Sequence, residues 1–346
     1  MARTGVLIVT TGGPAGIGEV ADFLEIANGA LASSDELGAV QRRYLAIGGI
    51  SPVPAVAERV AAALERRLND LPPDPVEVSP SDTLTALVET PSGRTADAVD
   101  IRVLVGMLAA RPTIVDALEA FKADGVGRVI VVDLAPFETP FRAASNSEAV
   151  NQVAKALGIE TVPGGDFAHS EHLTQLLSLA YSGTISELAA DHKPVIVFTA
   201  EALSAVEAEE SDYVRRVESA VVRMVEELEL GEVDAVGLES ALGVRALGGL
   251  GKTAPWLLAY QSEEPVPDAV GPDLFAVIDA AISHGFSAVC VLPIGLAFDE
   301  VETMWTLDIL AADRALSQGI EFARAPVAND DPLLIEAIET AVRSVL

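Results

Sequence analysis

A group of carboxylates follows an apolar, strand-like run near the carboxyl end of the chain. The run ends at Leu292, and Pro293 and Gly295 then turn the chain into a helical segment that continues to residue 310. This segment carries Asp299, Glu300, Glu302 and Asp308. Ligands of open α/β sheets bind at the carboxyl edge of the strands, because the loops there leave a crevice between the flanking helices. The spacing predicts carboxylates at such an edge; the alternative is an acidic first turn that complements a helix dipole.

The histidines give a weaker metal signal than these carboxylates. His169 and His172 are spaced three residues apart, as on one face of a helix. A zinc site needs at least three protein ligands, and no third ligand can be assigned from the sequence. We interpret the pair as an exposed helix start rather than a metal site.

Two glycine-rich turns are similar to nucleotide-binding motifs. Residues 11–18, TGGPAGIG, fit the TGxxxGxG turn of short-chain dehydrogenases. Those enzymes also need a Tyr-x-x-x-Lys pair, and none of the four tyrosines has a lysine four residues later. Residues 246–253, ALGGLGKT, match a loose phosphate loop, but Pro255 and a strand-like run follow where a helix is required. We interpret residues 233–252 as a flexible insertion; nucleotide binding at either turn is the less favoured alternative.

Composition excludes several classes of function. The 346 residues include 52 acidic and 22 basic side chains, a net charge of −30, which disfavours nucleic acid and anionic membrane surfaces as partners. Cys290 is the single cysteine, so we expect no disulfide framework, no thiolate zinc site and no iron–sulfur cluster. Residues 1–30 lack a secretory signal, and no apolar run reaches the roughly 20 residues that span a bilayer. We expect a soluble, cytoplasmic protein with no membrane span.

Strand-like and helix-like segments alternate along the chain. Apolar strand-like runs are predicted at residues 6–9, 101–107, 129–134, 159–162, 193–198, 256–260, 288–292 and 320–323. Helical spacing is predicted at residues 20–26, 54–68, 114–122, 147–157, 214–230, 274–283 and 333–345. Strands that alternate with helices of ten to fifteen residues indicate βαβ units and parallel sheets. The chain therefore reads as two similar α/β halves, with a loop or short lid at residues 79–97.

A basic and aromatic segment precedes a sharp turn at residues 42–53, RRYLAIGGISPV. Two glycines followed by Ser-Pro predict a non-helical loop, and helical spacing begins again at Pro54. A basic residue beside an aromatic residue at such a loop suits an anionic ligand. The alternative is that Arg42 and Arg43 are solvated surface residues.

Several segments together resemble the ferrochelatase family, the metal chelatases of haem synthesis, and most of all its bacterial coproporphyrin branch. The matching segments run in the family's order across almost the whole chain: VLIVTTGGP, RRYLAIGGISPV, VGMLAARP, VIVVDLAPFETPF, VIVFTAEALS, YQSEEPVPDAVGPD and LPIGLAFDEVETMWTLDIL. The resemblance implies two Rossmann-like domains with parallel sheets flanked by helices and a tetrapyrrole cleft between the domains. We assign residues 1–165 plus 326–346 to the first domain and residues 166–325 to the second.

The resemblance also implies site residues. Arg43, Tyr44 and Ser51 match the family's porphyrin-contacting loop, and Glu302 matches the glutamate that faces the metal. Glu201 stands where the family has its catalytic histidine. Four other positions also depart from the family pattern: Thr11 replaces a tyrosine that is an axial ligand in the coproporphyrin branch, Ala27 replaces an arginine, Phe137 a histidine and Asn146 a tyrosine. In the family's metal-delivering helix, Thr306 and Leu310 replace two acidic residues, whereas Asp308 is retained.

These replacements leave more than one hypothesis for function. In the first, Glu201 and Glu302 face each other as metal ligand and proton acceptor, and their mutual repulsion keeps a proton on one of them to higher pH. The chain would then insert Fe²⁺, as substrate, into coproporphyrin III or a related porphyrin, without a tightly bound cofactor. In the second, a non-catalytic relative binds a tetrapyrrole or metalloporphyrin as carrier, sensor or partner of an active paralogue. In the third, the metal or the macrocycle has changed, because oxygen ligands favour harder cations.

Overall fold

The computed structural model describes residues 3–71, 101–188, 192–251, 254–262 and 266–346. The predicted lid at residues 79–97 therefore lies outside the described residues. Within the described part of the chain, no helix is long and apolar enough to cross a membrane.

Four parallel strands form the first sheet, in the order β2-β1-β3-β4. They are β1 (Arg3–Thr10), β2 (Arg102–Met107), β3 (Val126–Asp133) and β4 (Glu160–Pro163). Helices cover both faces of a parallel sheet, so its inner strands read as continuous apolar runs. Alternate residues of β1 face opposite layers: Ile8 packs in one core cluster with Val60, whereas Leu7 packs in another with Phe121.

Five strands form the second sheet, in the order β6-β7-β5-β8-β9. They are β5 (Pro194–Glu201), β6 (Gly248–Leu250), β7 (Pro255–Gln261), β8 (Ala288–Pro293) and β9 (Glu321–Arg324). The pairs β5–β7, β5–β8 and β8–β9 are parallel. The edge strand β6 is antiparallel to β7, with Gly248 opposite Leu257.

The helices connect the strands and cover the sheets. In chain order they are α1 (Val20–Asn28), α2 (Ser34–Ala46), α3 (Val53–Leu68), α4 (Ile114–Ala123), α5 (Pro140–Leu157), α6 (Glu171–Glu187), α7 (Ala205–Glu209), α8 (Tyr213–Glu227), α9 (Ala235–Leu242), α10 (Leu274–Ser283), α11 (Ala312–Ser317) and α12 (Pro332–Arg343). A π-helix, Glu302–Ala311, directly precedes α11. The last helix, α12, packs against both α3 and α6.

Local sequence accounts for where several helices begin and end. Thr113 and Asp116 form a reciprocal capping box at the start of α4, which satisfies two backbone N–H groups that the helix leaves unpaired. Pro140 occupies the first turn of α5, where its fixed φ suits a helix and its missing N–H is not needed. Gly158 ends α5 in the left-handed conformation that glycine adopts without strain.

The structure departs from the sequence interpretation at three places. Residues 233–252, interpreted as a flexible insertion, include α9 and the edge strand β6, so that interpretation was wrong for the described part of this segment. His169 precedes α6, which begins at Glu171, so His169 and His172 do not share a helix face. Arg43 and Tyr44 lie on α2, and the sharp turn begins after them, with Gly48 and Gly49 both at positive φ.

Candidate functional site

A cavity of about 770 Å³ lies where the carboxyl ends of strands from both sheets meet. Thr11 follows β1, Arg142 follows β3, Glu201 ends β5 and Glu300 follows β8, and all four line the cavity. Small-molecule sites commonly enclose about 300–1,000 Å³. The carboxyl edge is also the usual ligand edge of α/β sheets. Position and size both make this cavity the candidate functional site.

Three glutamates converge on one guanidinium in this cavity. Arg142 Nη2 lies 3.5 Å from Glu201 Oε1 and 3.9 Å from Glu302 Oε1. Arg142 Nη1 lies 3.9 Å from Glu300 Oε2. Each of these side chains keeps 22–38% of its surface exposed, so the group remains accessible from the cavity.

Secondary structure brings the glutamates together from distant parts of the sequence. Glu201 is the last residue of β5, and its carbonyl oxygen accepts a hydrogen bond of 3.2 Å from the Tyr213 hydroxyl. Because β5 pairs in parallel with β8, the loop that leaves β8 carries Glu300 and Glu302 to the same edge. The Thr303 hydroxyl donates to the Phe298 carbonyl at 3.0 Å, which ties this loop to the start of the π-helix.

Burial perturbs the charges of this group. The pKa of Glu300 is raised to about 8, chiefly by burial and next by the Glu302 carboxylate, while Arg142 opposes both. Burial also raises the pKa of Glu201, with Arg142 again opposing and Glu302 contributing less than burial. The sequence hypothesis gave mutual repulsion as the cause; desolvation of the carboxyl is the larger cause in the structure. Although burial acts against its charge, the surrounding glutamates raise the pKa of Arg142 well above its ordinary value.

A second acidic pair lies behind Arg142 and was missed in the sequence. Burial raises the pKa of Glu138 well above its ordinary value, and the neighbouring Asp133 adds to the effect. Asp133 accepts hydrogen bonds from the Asn146 amide at 3.1 Å and the Ala135 backbone N–H at 3.2 Å. Glu138 lines a void of about 30 Å³ together with Arg142, Glu201 and Glu300. The sequence did contain a signal for this pair: Asp133 and Glu138 lie at and just after the end of the apolar strand β3, in the same way that Glu300 and Glu302 follow β8.

The structure places Arg43, Tyr44 and Ser51 on one wall of the cavity. Arg43 also lines an adjoining pocket, described below. The Tyr44 ring is buried edge-on against Phe23 at 6.5 Å, and burial raises the pKa of its hydroxyl, with Glu302 adding to the rise. Ser51 is buried against Gly13, where an added Cβ would lie 2.2 Å from Ser51 Oγ. Tyr44 and Ser51 therefore shape the wall by packing.

The adjoining pocket has a volume of about 290 Å³ and shares Arg43, Glu201 and Glu302 with the main cavity. Gln261, at the end of β7, is 3% exposed, and neither its amide oxygen nor its amide nitrogen has a partner among the described residues. Trp305 Nε1 is likewise buried without a partner in that part of the chain. Unpaired buried polar atoms are costly unless a ligand or water satisfies them. These groups extend the polar surface available to a ligand.

Only two of the four carboxylates between residues 292 and 310 line this cavity. Glu300 and Glu302 line it, whereas Asp308 makes a two-oxygen ion pair with Arg324 of β9. Asp299 Oδ1 lies 3.3 Å from the same guanidinium. The expectation that the whole acidic segment is delivered to the ligand edge was therefore wrong for Asp299 and Asp308. The turn of the π-helix directs Asp308 toward β9.

The histidines lie outside the cavity. His169 Nδ1 is 3.1 Å from Asp166, His172 Nε2 is 3.6 Å from Glu336, and His192 Nε2 is 2.6 Å from Glu321. None of the three therefore substitutes for the family's histidine. Over the described ranges, no cluster of three or more His, Cys, Asp or Glu side chains is arranged to hold a metal ion. The glutamates of the cavity are instead arranged around Arg142.

The two sheets and the helices that flank them define a mixed α/β fold, and solved structures share it. SirB from Bacillus subtilis, solved with Fe³⁺, matches with a TM-score of 0.51 at 11% identity, over 99% of this chain and 95% of that one. The ferrochelatase family model matches residues 77–346. The chain therefore belongs to the ferrochelatase family.

Curated relatives support the same assignment. The coproporphyrin III ferrochelatase of Propionibacterium freudenreichii is 27% identical over 354 aligned positions, which cover 99% of this chain and 87% of the relative. The ferrochelatase of Geotalea daltonii is 26% identical over 314 positions, which cover 88% and 81%. The resemblance inferred from the sequence motifs is confirmed.

Proposed function

We propose that this chain is a tetrapyrrole metal chelatase that inserts Fe²⁺ into coproporphyrin III or a related porphyrin in haem biosynthesis. The observation that carries the proposal is the convergence of Glu201 and Glu302 on one point of a 770 Å³ cleft in a ferrochelatase-family chain. We further propose a cytoplasmic protein without a tightly bound cofactor or iron–sulfur cluster. A paralogue or another haem-pathway protein is its proposed partner.

The chemistry needs a metal ligand and a proton acceptor. Insertion of one divalent cation into a free-base porphyrin forms four metal–nitrogen bonds and releases two pyrrole N–H protons. In the proposal, Glu201 and Glu302 hold the cation and accept these protons in turn. A carboxylate serves as a base near neutral pH only when its pKa is raised, and burial supplies that shift at Glu201. Arg43 is the proposed partner of an anionic substituent of the macrocycle, with Tyr44 and Ser51 behind it.

The test is an anaerobic spectrophotometric titration with coproporphyrin III followed by Fe²⁺. A shifted porphyrin band on mixing, and then many turnovers of metalloporphyrin above a protein-free control, are expected. Glu201→Gln and Glu302→Gln should each abolish insertion while the porphyrin band still shifts. Asp308→Asn is the matched control, because Asp308 lies on the same π-helix but pairs with Arg324. Unimpaired insertion by the double variant of Glu201 and Glu302 would contradict the proposal.

A second candidate function is tetrapyrrole binding without turnover. The observation in its favour is that Arg142, already a cation, lies among the carboxylates, while no histidine is among the described residues that line the cavity. A shifted porphyrin band with no insertion under the same conditions would support this function. A changed metal is tested by a panel of divalent cations, because carboxylates favour harder ions than imidazole does.

We also propose the domain division given above, with residues 1–165 plus 326–346 in one domain and 166–325 in the other. The two separate sheets support this division. In this arrangement α12 returns to the first domain, and it packs against α3 there and against α6 of the second domain.

A further inference from the structure

Arg142 lies at the point where the proposed metal ligands converge. Its guanidinium is 3.5 Å from Glu201 and 3.9 Å from both Glu300 and Glu302. The three carboxylates come from the end of β5, the loop after β8 and the first residue of the π-helix. One guanidinium therefore takes the position that a cation bridging Glu201 and Glu302 would need.

The contacts of Arg142 with these glutamates are loose. Charge-assisted N–H···O bonds of arginine are usually about 2.7–2.9 Å long and often bidentate. Arg59 makes such a pair with Asp330 in this chain, at 2.6 and 3.1 Å. All three distances at Arg142 are 3.5 Å or more. The summed negative charge holds Arg142 in place more than any single well-formed hydrogen bond does, so the guanidinium can be displaced without breaking a fixed pair.

The surroundings leave space for that displacement. Arg142 lines the main cavity beside Phe141 and Ser145 of the same helix, and 27% of its side chain is exposed there. A change of side-chain rotamer can carry the guanidinium into the cavity while α5 stays in place. Two cations about 4 Å apart repel each other, and partial burial makes the repulsion stronger than in bulk water. A divalent ion and the present Arg142 rotamer are therefore mutually exclusive between Glu201 and Glu302.

We infer that Arg142 is a resident counter-ion that keeps the metal position closed, so that a divalent cation binds Glu201 and Glu302 only when the guanidinium moves away. The inference rests on the proposed function, in which these two glutamates are the metal ligands. Arg142 is thus a positioning residue: it holds the three glutamate side chains together, and it makes cation binding conditional on its own movement.

The test measures cation binding alone, by isothermal titration calorimetry with cobalt(II) chloride at one fixed pH. Arg142→Gln should bind Co²⁺ about tenfold or more tightly than the unmodified chain, because a repelling unit charge has been removed. Arg142→Lys retains the charge and should stay close to the unmodified affinity. Arg216→Gln is the matched control, because Arg216 pairs with Asp166 outside the cavity. This variant should bind Co²⁺ with the affinity of the unmodified chain. The gain should disappear when Glu201→Gln is added to Arg142→Gln, which locates the bound ion.

Co²⁺ affinity of Arg142→Gln that equals or falls below that of the unmodified chain would overturn the inference. If Arg142→Gln does not fold, as judged by circular dichroism, the double variant Arg142→Gln, Glu300→Gln is used instead. It removes the guanidinium together with a glutamate that faces it, and it leaves both proposed metal ligands. The double variant should show the same gain in Co²⁺ affinity, and the absence of that gain would also overturn the inference. If the unmodified chain inserts metal but Arg142→Gln shows no gain in Co²⁺ affinity, only this inference is refuted and the proposed function stands. A gain in Co²⁺ affinity with no insertion activity refutes only the proposed function.

Discussion

Glu300→Gln should make the stability of this chain less dependent on pH. Glu300 has an ordinary pKa of 4.5 and a folded-state pKa of about 8, chiefly because of burial and then the Glu302 carboxylate. An acid whose folded pKa is raised binds its proton more tightly in the folded state. Its stabilising contribution is complete below about pH 4.5 and is lost as the pH rises through 8. Glutamine is neutral throughout, so the variant lacks this loss.

The magnitude follows from proton linkage. Between the two pKa values the folded state holds one proton that the unfolded state has released, and the free energy of unfolding falls by at most about 1.4 kcal/mol per pH unit. From pH 5.5 to 7.5, the stability of Glu300→Gln relative to the unmodified chain should therefore rise by ~2 kcal/mol, after allowance for coupling to nearby carboxyls. The raised pKa of Glu201 and of Glu138 acts in the same direction in the unmodified chain.

Urea unfolding followed by tryptophan fluorescence, at half-unit steps of pH, measures this difference. Glu226→Gln is the control, because Glu226 lies exposed on α8 and should follow the unmodified chain at every pH. A difference between Glu300→Gln and the unmodified chain that stays constant from pH 5.5 to 7.5 would refute the reasoning. It would mean that Glu300 is ionised in the folded state over the whole range.

Two substitutions and one labelling experiment test the packing around the site and in the cores. Gly13→Ala should lower the free energy of unfolding by about 1–3 kcal/mol, because the new Cβ would lie 2.2 Å from Ser51 Oγ. Gly16→Ala is the control: a Cβ added there has no atom within 4 Å, so the variant should match the unmodified chain in thermal unfolding. Phe121→Ala should cost about 3–5 kcal/mol in urea, since the ring is fully buried against β1, and a loss below 1 kcal/mol would contradict that packing. Cys290 should not react with Ellman's reagent in the native chain, because burial raises the pKa of its thiol to about 12; rapid native labelling would show that β8 opens.

Much of the fold could be predicted from local sequence. The predicted strands at residues 6–9, 129–134 and 288–292 lie inside or within one residue of β1, β3 and β8, since inner strands of a parallel sheet are continuously apolar. Helix α5 was predicted only from Ser147, whereas it begins at Pro140. Residues 140–146, PFRAASN, lack an apolar repeat at helical spacing, so the local pattern did not show that the helix begins at Pro140.

The misjudged insertion shows where local pattern fails. The segment from 233 to 252 is rich in glycine, which weakens any prediction of regular structure. In the structure Gly248 lies so close to β7 that an added Cβ would be 2.4 Å from the Trp256 carbonyl oxygen. Glycine is used here for close approach of two backbones, and this approach depends on a partner strand that the local pattern does not reveal.

Local sequence was enough to predict the α/β class, the family and the presence of carboxylates at the end of β5 and after β8. These follow from local periodicity and short motifs, which neighbouring residues encode. Only the tertiary structure decided which carboxylates meet. Glu302 faces the cleft while Asp308 turns to Arg324, and Arg142 lies 59 residues from Glu201 in sequence yet 3.5 Å away in space. The shifted pKa of Glu300 was likewise not encoded locally, because desolvation depends on the elements that close around a side chain and not on its neighbours in sequence.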